Sequence, residues 1–180
     1  ELLAPAGDEE ALKAAIMAGA NAVYMGGGRF GARAFAGNFE DDKLIDAVDY
    51  AHQMGVKIYI TANTIIKDEE IGDFLNYIDF LYEIGVDAVI LQDLGMIDII
   101  SKRIPDLELH ASTQMTASTA QDVLFLKELG VSRVVLSREL SYDEISAIKT
   151  ETNIEVEAFV HGALCVSYSG NCLFSGMHGM

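Results

Sequence analysis

Four stretches that open on glycine decide the fold: GANAVYMG (Gly19–Gly26), GVKIYITAN (Gly55–Asn63), GVDAVILQD (Gly85–Asp93) and GVSRVVLSR (Gly130–Arg138). In each, a small or β-branched residue follows the glycine, and a run rich in apolar β-formers comes next. Glycine is favoured just past the end of a helix because it adopts positive φ without steric cost. A short Val/Ile-rich run is typical of a buried parallel strand. Each stretch therefore predicts the end of a helix followed by a strand.

Three further segments fit the same rhythm without a leading glycine, and segments with helical periodicity lie between the strands. In one of these, Ile71, Leu75, Ile78 and Tyr82 recur at spacings of four, three and four, as one buried face of a helix requires. The predicted strands cover about residues 2–6, 21–26, 57–63, 88–93, 108–113, 133–138 and 154–161. The predicted helices cover about residues 8–18, 41–54, 68–84, 94–103, 118–129 and 141–151.

This strict alternation predicts an α/β fold with a parallel sheet and helices outside it. A spacing of about 25 residues per βα unit favours a TIM-like (β/α) barrel, which has eight units, and about seven are present here. We therefore expect one barrel-type domain over residues 1–180, incomplete at its C-terminus. Because the chain opens on Glu1 rather than Met and stops at Met180 just after a Cys-containing stretch, we also expect it to be excised from a longer protein, as its N-terminal part. A doubly wound sheet is the alternative, but Ala4-Pro5-Ala6-Gly7 lacks the Gly-rich dinucleotide turn.

Composition limits the class of protein. The 180 residues are 51% hydrophobic and carry a formal net charge of −16. This composition excludes a collagen, a disordered tail and a disulfide-stapled miniprotein. No apolar run approaches the ~18–20 residues of a membrane helix, and the first residues do not resemble a signal peptide. We therefore expect a cytoplasmic protein without membrane association. The lack of any Lys/Arg run argues against nucleic-acid binding by this segment alone.

The longest predicted connection is GGGRFGARAFAGNFE (Gly26–Glu40). Its three consecutive glycines and the charges of Arg29 and Arg33 are suited to hold an anion through backbone N–H groups. A plain flexible loop is equally compatible with this composition. We assign Arg29 and Arg33 to substrate binding as a prediction.

Polar residues also stand where five of the predicted strands end. The C-terminal ends of parallel barrel strands face one shared cavity, so a crown of polar side chains there predicts a ligand site. The residues predicted to bind substrate at these ends are Asn63, Gln92, His110 and Gln114, and those predicted to be catalytic are Arg138, Glu157 and His161. Arg138 is expected to keep a nearby carboxylate, Glu157 or Glu139, ionised.

His161 lies four residues after Glu157, on the same face of the predicted strand, and four before Cys165. A histidine beside a carboxylate suits a general base, since its reference pKa is ~6.5. A histidine that is only hydrogen-bonded in the strand-end network fits the pattern equally well. A Cys-His protease dyad fits less well, because it also needs the thiolate positioned by the histidine and a third orienting group.

The chain has two cysteines, Cys165 and Cys172. Six residues separate them, which is wider than the spacing of a tight zinc site. A disulfide is disfavoured in the cytoplasm, and an iron–sulfur cluster generally needs four thiolates. Spacing alone therefore favours two structural cysteines.

The same region carries a family resemblance. Glu157-Ala-Phe159-Val-His-Gly162-Ala-Leu-Cys165, followed after four residues by Gly170-Asn-Cys172-Leu-Phe-Ser175, resembles the signature of the peptidase U-32 (collagenase-like protease) family. That signature has Glu, Phe, Gly, Cys, Gly, Cys and Ser at these spacings. Other segments that resemble the family are Leu2–Gly7, Asn21–Phe39, His110–Gln114 and Arg133–Ile145.

The resemblance implies a (β/α)-barrel-like domain. Some family members are oxygen-independent hydroxylation factors that act on tRNA, ribosomal RNA or a ubiquinone precursor. In those members four cysteines hold a four-iron four-sulfur cluster, and Cys165 and Cys172 match the first two. The third and fourth lie farther along the family's pattern than Met180, so we expect a cluster in the full-length protein and none in this segment.

Two enzymatic functions are therefore possible for the parent protein, and a third possibility involves no catalysis. The parent protein is either an iron–sulfur hydroxylase of RNA or of a small aromatic substrate, or a peptidase with a peptide substrate, as the family name says. The chain has no HExxH helix and no glycine-flanked nucleophile elbow, so its residues favour the hydroxylase over a hydrolase. A barrel that only binds a ligand, without catalysis, is the third possibility.

Overall fold

The computed structural model describes residues 1–32, 39–162 and 165–172. The chain divides into two compact units, Glu1–Glu108 and Leu109–Met180. Arg33 and Ser175, which the sequence analysis singles out, lie outside the described residues.

Seven strands and six α-helices alternate along the described part of the chain, as the sequence predicts. The strands are β1 (Leu3–Ala6), β2 (Ala22–Gly26), β3 (Lys57–Thr61), β4 (Ala88–Leu91), β5 (Glu108–Ala111), β6 (Arg133–Val135) and β7 (Glu155–Glu157). The helices are α1 (Glu9–Met17), α2 (Asp41–Gln53), α3 (Ile71–Glu83), α4 (Leu94–Arg103), α5 (Ala120–Glu128) and α6 (Tyr142–Thr152). Short 3₁₀ turns, Asp68–Glu70 and Thr113–Met115, precede α3 and follow β5.

The four glycines that open the repeated stretches end four helices in the same way. Their φ angles lie between 71° and 97°. After each glycine, the next residue donates its backbone N–H to the carbonyl five residues earlier, as Val56 does to Ala51 at 2.9 Å. This is the hydrogen bond of a Schellman motif, which needs positive φ at the preceding residue. The predicted helix ends of α1, α2, α3 and α5 are confirmed.

In the first unit the strands lie in the order β1-β2-β3-β4, and each neighbouring pair is parallel. Ala22, Tyr59, Ala88 and Ile90 form a buried apolar cluster on these strands. The order follows the sequence without the reversal that creates the ligand crevice of a doubly wound sheet. The structure therefore excludes that reversal within this unit.

The second unit contains the parallel order β5-β6-β7. His110 is paired with Arg133 in the register, and Arg133 with Glu155. Glu157 lies two residues beyond Glu155, so these four side chains project from one face of the strands. One face of this sheet therefore carries charged and polar side chains.

The last strand is shorter than predicted. The sequence predicts strand structure as far as His161, but β7 ends at Glu157. Its last residue pairs with Val135, the last residue of β6, so within the described residues the segment that follows has no partner for a ladder. Glu157 and His161 therefore do not share a face of one strand, which the sequence analysis assumes. Among the described residues, no helix is long and apolar enough to cross a membrane.

Candidate functional site

The described residues of the predicted anion loop after β2, 26–32 and 39–40, make contacts within the first unit. The Arg29 guanidinium donates to the Asp41 carboxylate at 2.8 Å and lies 4.8 Å from the centre of the Tyr77 ring. Phe30 packs edge-on against Phe74, with the ring centres 5.1 Å apart. Arg29 thus already has an anionic and an aromatic partner, and its role in substrate binding stays a prediction.

Asn63 and Gln92 follow β3 and β4, as expected for residues at C-terminal strand ends. The Asn63 side-chain oxygen accepts the backbone N–H of Ala32 at 3.1 Å, which fastens the glycine-rich loop to the end of β3. Gln92 is half-buried directly after β4. Its neighbour Asp93 caps α4 by accepting the Met96 N–H at 3.0 Å. The first unit therefore holds three of the predicted binding residues, two of them after strands and Arg29 in the loop.

The polar face of the second unit is organised by a buried arginine that the sequence analysis misses. The Arg133 side chain is 10% exposed and donates through Nε and Nη2 to Glu155, at 3.0 and 2.5 Å. Its Nη1 lies 4.0 Å from the Glu157 carboxylate. Glu157 therefore has Arg133 as its cationic neighbour on this face. A lone arginine inside the apolar run GVSRVVLS is the signal that predicts such a buried pair.

His110 and Gln114 lie on either side of the end of β5. His110 is buried in the strand, next to Arg133 in the register. Gln114 is half-buried in the 3₁₀ turn that follows, where its N–H is donated to the Ser112 hydroxyl at 3.3 Å. Both belong to the same unit as Glu157, Arg138 and the cysteines.

The loop that presents the cysteines is tied to the segment after β6. The Arg138 guanidinium donates to the carbonyl of Cys165 at 3.2 Å, to that of Ser167 at 2.7 Å and to the Ser169 hydroxyl at 3.2 Å. Ser169 in turn donates its N–H and its hydroxyl to the Glu139 carboxylate, at 3.0 and 3.2 Å. We refer to residues 165–172 as the cysteine loop. Its backbone is thus bonded directly to Arg138 and Glu139.

The Glu139 carboxyl is held in its ionised form. Burial raises its pKa, but the Ser169 hydroxyl and the backbone N–H groups of Glu139 and Ser169 lower it, and the Arg138 charge 4.0 Å away adds to this. The net effect places the pKa of Glu139 below its usual value, because hydrogen bonds to the charged form favour that form. Of the two carboxylates predicted as partners of Arg138, the structure brings Glu139 to it.

Cys165 and Cys172 are free and exposed. The Cys165 Sγ accepts the backbone N–H of Ser167 at 3.4 Å. His161 is exposed between the end of β7 and this loop, and no hydrogen bond joins it to Cys165 within the described residues. The described part of the chain therefore pairs no thiol with a histidine base.

The two thiols are too few to hold a four-iron cluster on their own. Such a cluster is generally held by four thiolates, and the chain has two cysteines. The described residues contain no group of three or more His, Cys, Asp or Glu side chains that could hold a metal ion. The residues present do not by themselves fit a complete cluster.

The model of peptidase family U32 matches residues 7–180. The chain belongs to peptidase family U32. The predicted family is therefore confirmed.

Two relatives of the U32 chain have names that state an activity. It is 46% identical to the 23S rRNA 5-hydroxycytidine C2501 synthase of Escherichia coli (strain K12) over 97% of this chain and 26% of that protein. It is 41% identical to tRNA hydroxylation protein P1 of Bacillus subtilis (strain 168) over 97% of this chain and 42% of that protein. The U32 chain thus spans about a quarter and about two-fifths of the lengths of these relatives.

A solved structure supports the fold class. The U32 peptidase Mk0906 superposes with a TM-score of 0.75 at 15% identity, over 88% of this chain and 67% of that one. Together with the sequential parallel strands in both units, this match confirms the predicted (β/α)-barrel-type fold. At this identity the match carries no information about activity.

Proposed function

We propose that this U32 chain is the barrel-type part of a protein that hydroxylates tRNA or ribosomal RNA without molecular oxygen. The observation that carries the proposal is the 46% and 41% identity, over 97% of the chain, to proteins named for rRNA and tRNA hydroxylation. The fixed cysteine loop supports it, since that loop presents two exposed thiols in the second unit.

We further propose that Cys165 and Cys172 supply two of the four thiolates of an iron–sulfur cluster in the intact protein. When bound, such a cluster supplies one-electron redox chemistry. This chain's own residues hold the loop in place through Arg138, and the Ser167 N–H is donated to the Cys165 sulfur. Hydrogen bonds to sulfur are among the features that set the potential of a cluster.

His161 is the proposed proton-transfer residue of this site. It is exposed between the end of β7 and the cysteine loop, where a substrate can reach it, and histidine is the side chain that most often serves as a general acid or base. Glu157 is less suited than His161 to transfer a proton, because its carboxylate lies near the Arg133 cation. Asn63, Gln92, His110 and Gln114 are retained as proposed binding residues, since all four lie at or just after the C-terminal ends of parallel strands.

A peptidase is the alternative that the family name suggests. A thiol peptidase needs a histidine base within hydrogen-bonding reach of its cysteine. In the described residues the bond to the Cys165 sulfur comes from a backbone N–H. The geometry therefore favours the hydroxylase over the peptidase.

The test compares single cysteine variants of the intact protein purified without oxygen. Iron, acid-labile sulfide and visible absorbance report the cluster, and mass spectrometry of digested RNA reports hydroxylated nucleosides. We expect both Cys165→Ser and Cys172→Ser to lose cluster and product. A thiol peptidase instead predicts loss for Cys165→Ser alone in a metal-free protein. Full RNA hydroxylation by the double variant would rule out the proposal, and a hydroxylated quinone precursor in place of RNA would reassign the substrate.

A further inference from the structure

We infer that Arg138, Glu139 and Ser169 are positioning residues that hold the cysteine loop in its working geometry before any cofactor or substrate binds. The inference rests on the proposed function only in taking this loop as the working part of the site. The sequence predicts a catalytic role for Arg138, whereas its contacts in the structure assign it this positioning role.

The first observation is the choice of partners by Arg138. Its guanidinium donates to two backbone carbonyls, those of Cys165 and Ser167, and to the Ser169 hydroxyl. The side chain is only 20% exposed. A planar guanidinium offers five donors in a fixed arrangement, so three bonds to one loop restrict the path of its backbone. Arg138 therefore acts on the loop and has little exposed surface for a substrate.

The second observation is that every hydrogen-bonding site of the Ser169 hydroxyl is occupied. It accepts the Arg138 N–H at 3.1 Å and the Arg138 Nε–H at 3.2 Å, and it donates to Glu139 at 3.2 Å. A hydroxyl has one donor and two acceptor sites, and all three are occupied here. Ser169 itself is 2% exposed. Because Ser169 is buried and all its hydroxyl hydrogen bonds go to Arg138 and Glu139, it fixes the loop to the segment after β6.

The third observation comes from the other side of the loop. The Thr116 hydroxyl donates to the Ser169 carbonyl at 2.9 Å. Gly170 has a φ of 75°, and a Cβ added there would lie 2.3 Å from the Thr116 hydroxyl and 2.5 Å from the Gln114 carbonyl. The loop therefore packs against the 3₁₀ turn after β5 as closely as glycine allows, and it is held from two segments at once.

Such pre-organisation has a chemical purpose. Ligands or thiols that are already in place lose less conformational entropy when a group binds between them. The network uses only protein groups, so it should hold the loop whether or not a cluster is present. This distinguishes a positioning network from residues that become ordered around a bound cofactor.

The experiment is hydrogen–deuterium exchange of the intact protein kept free of metal, in which peptides spanning 165–171 are followed. For Arg138→Ala we expect exchange in these peptides to rise about tenfold or more, while exchange in the β1–β4 peptides changes much less. Arg138→Lys should restore only part of the protection, because an ammonium group lacks the planar set of donors. Arg103→Ala is the matched control, since Arg103 donates through two nitrogens to Asp79 in the first unit.

Two further variants keep the inference testable if Arg138→Ala does not fold. Glu139→Gln removes the charged acceptor of Ser169, and Gly170→Ala introduces the Cβ that the close packing excludes; both should raise exchange in the same peptides. Unchanged exchange in Arg138→Ala, or full protection in Arg138→Lys, would overturn the inference. Hydrogen–deuterium exchange of the metal-free protein depends on neither RNA nor iron. The inference can therefore fail while the proposed hydroxylation stands, and the hydroxylation can fail while the inference stands.

Discussion

Two arginines of the second unit, Arg133 and Arg138, stabilise different parts of it. Arg133 neutralises the carboxylates of the polar sheet face, whereas Arg138 binds backbone carbonyls of the cysteine loop. The two arginines are five positions apart in the sequence, yet one stabilises a sheet and the other a loop. Substitutions at the two positions should therefore have different consequences.

Arg133→Met should lower the free energy of unfolding by roughly 2–4 kcal/mol. Removing one member of a buried pair leaves the other charge uncompensated, and the exposure of Glu155 limits the loss. Urea denaturation measures the change. Adding Glu157→Gln to the variant should recover part of the lost stability, because the 19%-exposed carboxylate is then neutral. An Arg133→Met variant as stable as the parent would contradict this account.

Protonation of Glu139 should release Ser169 only in acid. The pKa of Glu139 is lowered in the folded protein, so the stability it contributes is complete above the pKa of the unfolded chain and is lost as pH falls through the lower folded value. An NMR titration of the Ser169 amide resonance measures this transition. Its midpoint should lie below 4.5, the ordinary value for glutamate. A midpoint above that value would show that burial outweighs the hydrogen bonds.

The sequence predicts some of these residues and misses others for physical reasons. Cys165 and Cys172 are singled out because a short motif contains them, and Glu139 is predicted as a partner of Arg138 because the two are adjacent in the sequence. The partner of Arg29 and the carbonyl partners of Arg138 are not predicted, because such contacts depend on which segments fold against each other. Thr116 and Ser169 carry no distinguishing signal, since serine and threonine occur in most loops.

At the level of secondary structure, the repeated glycines make the helix ends and strand starts predictable. The Schellman motif is local, so one glycine and its preceding apolar residues contain the needed information. The far ends of the strands are less predictable. The segment Ala158–His161 has the composition of a strand, but β6 stops at Val135 and leaves it without a partner. The length of a strand is a property of the pair, which a single segment does not encode.

The contact between the loop after β2 and α3 gives a prediction for these elements. A Cβ on Gly27 would lie 1.9 Å from the Tyr77 hydroxyl, so Gly27→Ala should destabilise by about 1–3 kcal/mol through overpacking. Gly72→Ala, in α3 with no atom within 4 Å of the added Cβ, should instead stabilise by up to about 1 kcal/mol. Thermal or urea denaturation of both variants measures the contrast.

A double variant identifies the clash. Burial raises the pKa of Tyr77 to about 12, and its hydroxyl has no hydrogen-bond partner among the described residues. Tyr77→Phe should therefore be neutral or stabilising, and it should reduce the cost of Gly27→Ala. Equal costs of Gly27→Ala in both backgrounds would show that the hydroxyl is not the obstacle.

Charge is the dominant property of the whole molecule. The net charge is −16, and all four cations of the second unit already bind protein groups. Lys127 donates to the Thr152 carbonyl and Lys149 to the Ile154 carbonyl, while Arg133 and Arg138 have the partners described above. Phosphate contacts need free Lys or Arg side chains. These cations are therefore not available to hold an RNA backbone.

We expect the 180-residue chain by itself to bind RNA weakly and with little dependence on salt. Fluorescence anisotropy with a labelled tRNA, measured at two salt concentrations, tests this. The intact protein provides the comparison, and stronger binding by it with a steep salt slope would assign the phosphate contacts to residues elsewhere. Tight binding of the isolated chain, with affinity falling steeply as salt rises, would contradict the prediction.

The anchoring of the cysteine loop through carbonyl oxygens has an evolutionary consequence. Every amino acid has the same carbonyl, so Arg138 places no demand on the side chains of the residues it holds. Val166 is fully exposed and Tyr168 is 58% exposed, so both side chains point away from the network. Positions 166 and 168 are therefore free to diversify while the thiols stay in place. A library randomised at positions 166 and 168 should therefore keep the loop protected from hydrogen–deuterium exchange, since neither side chain takes part in the anchoring contacts.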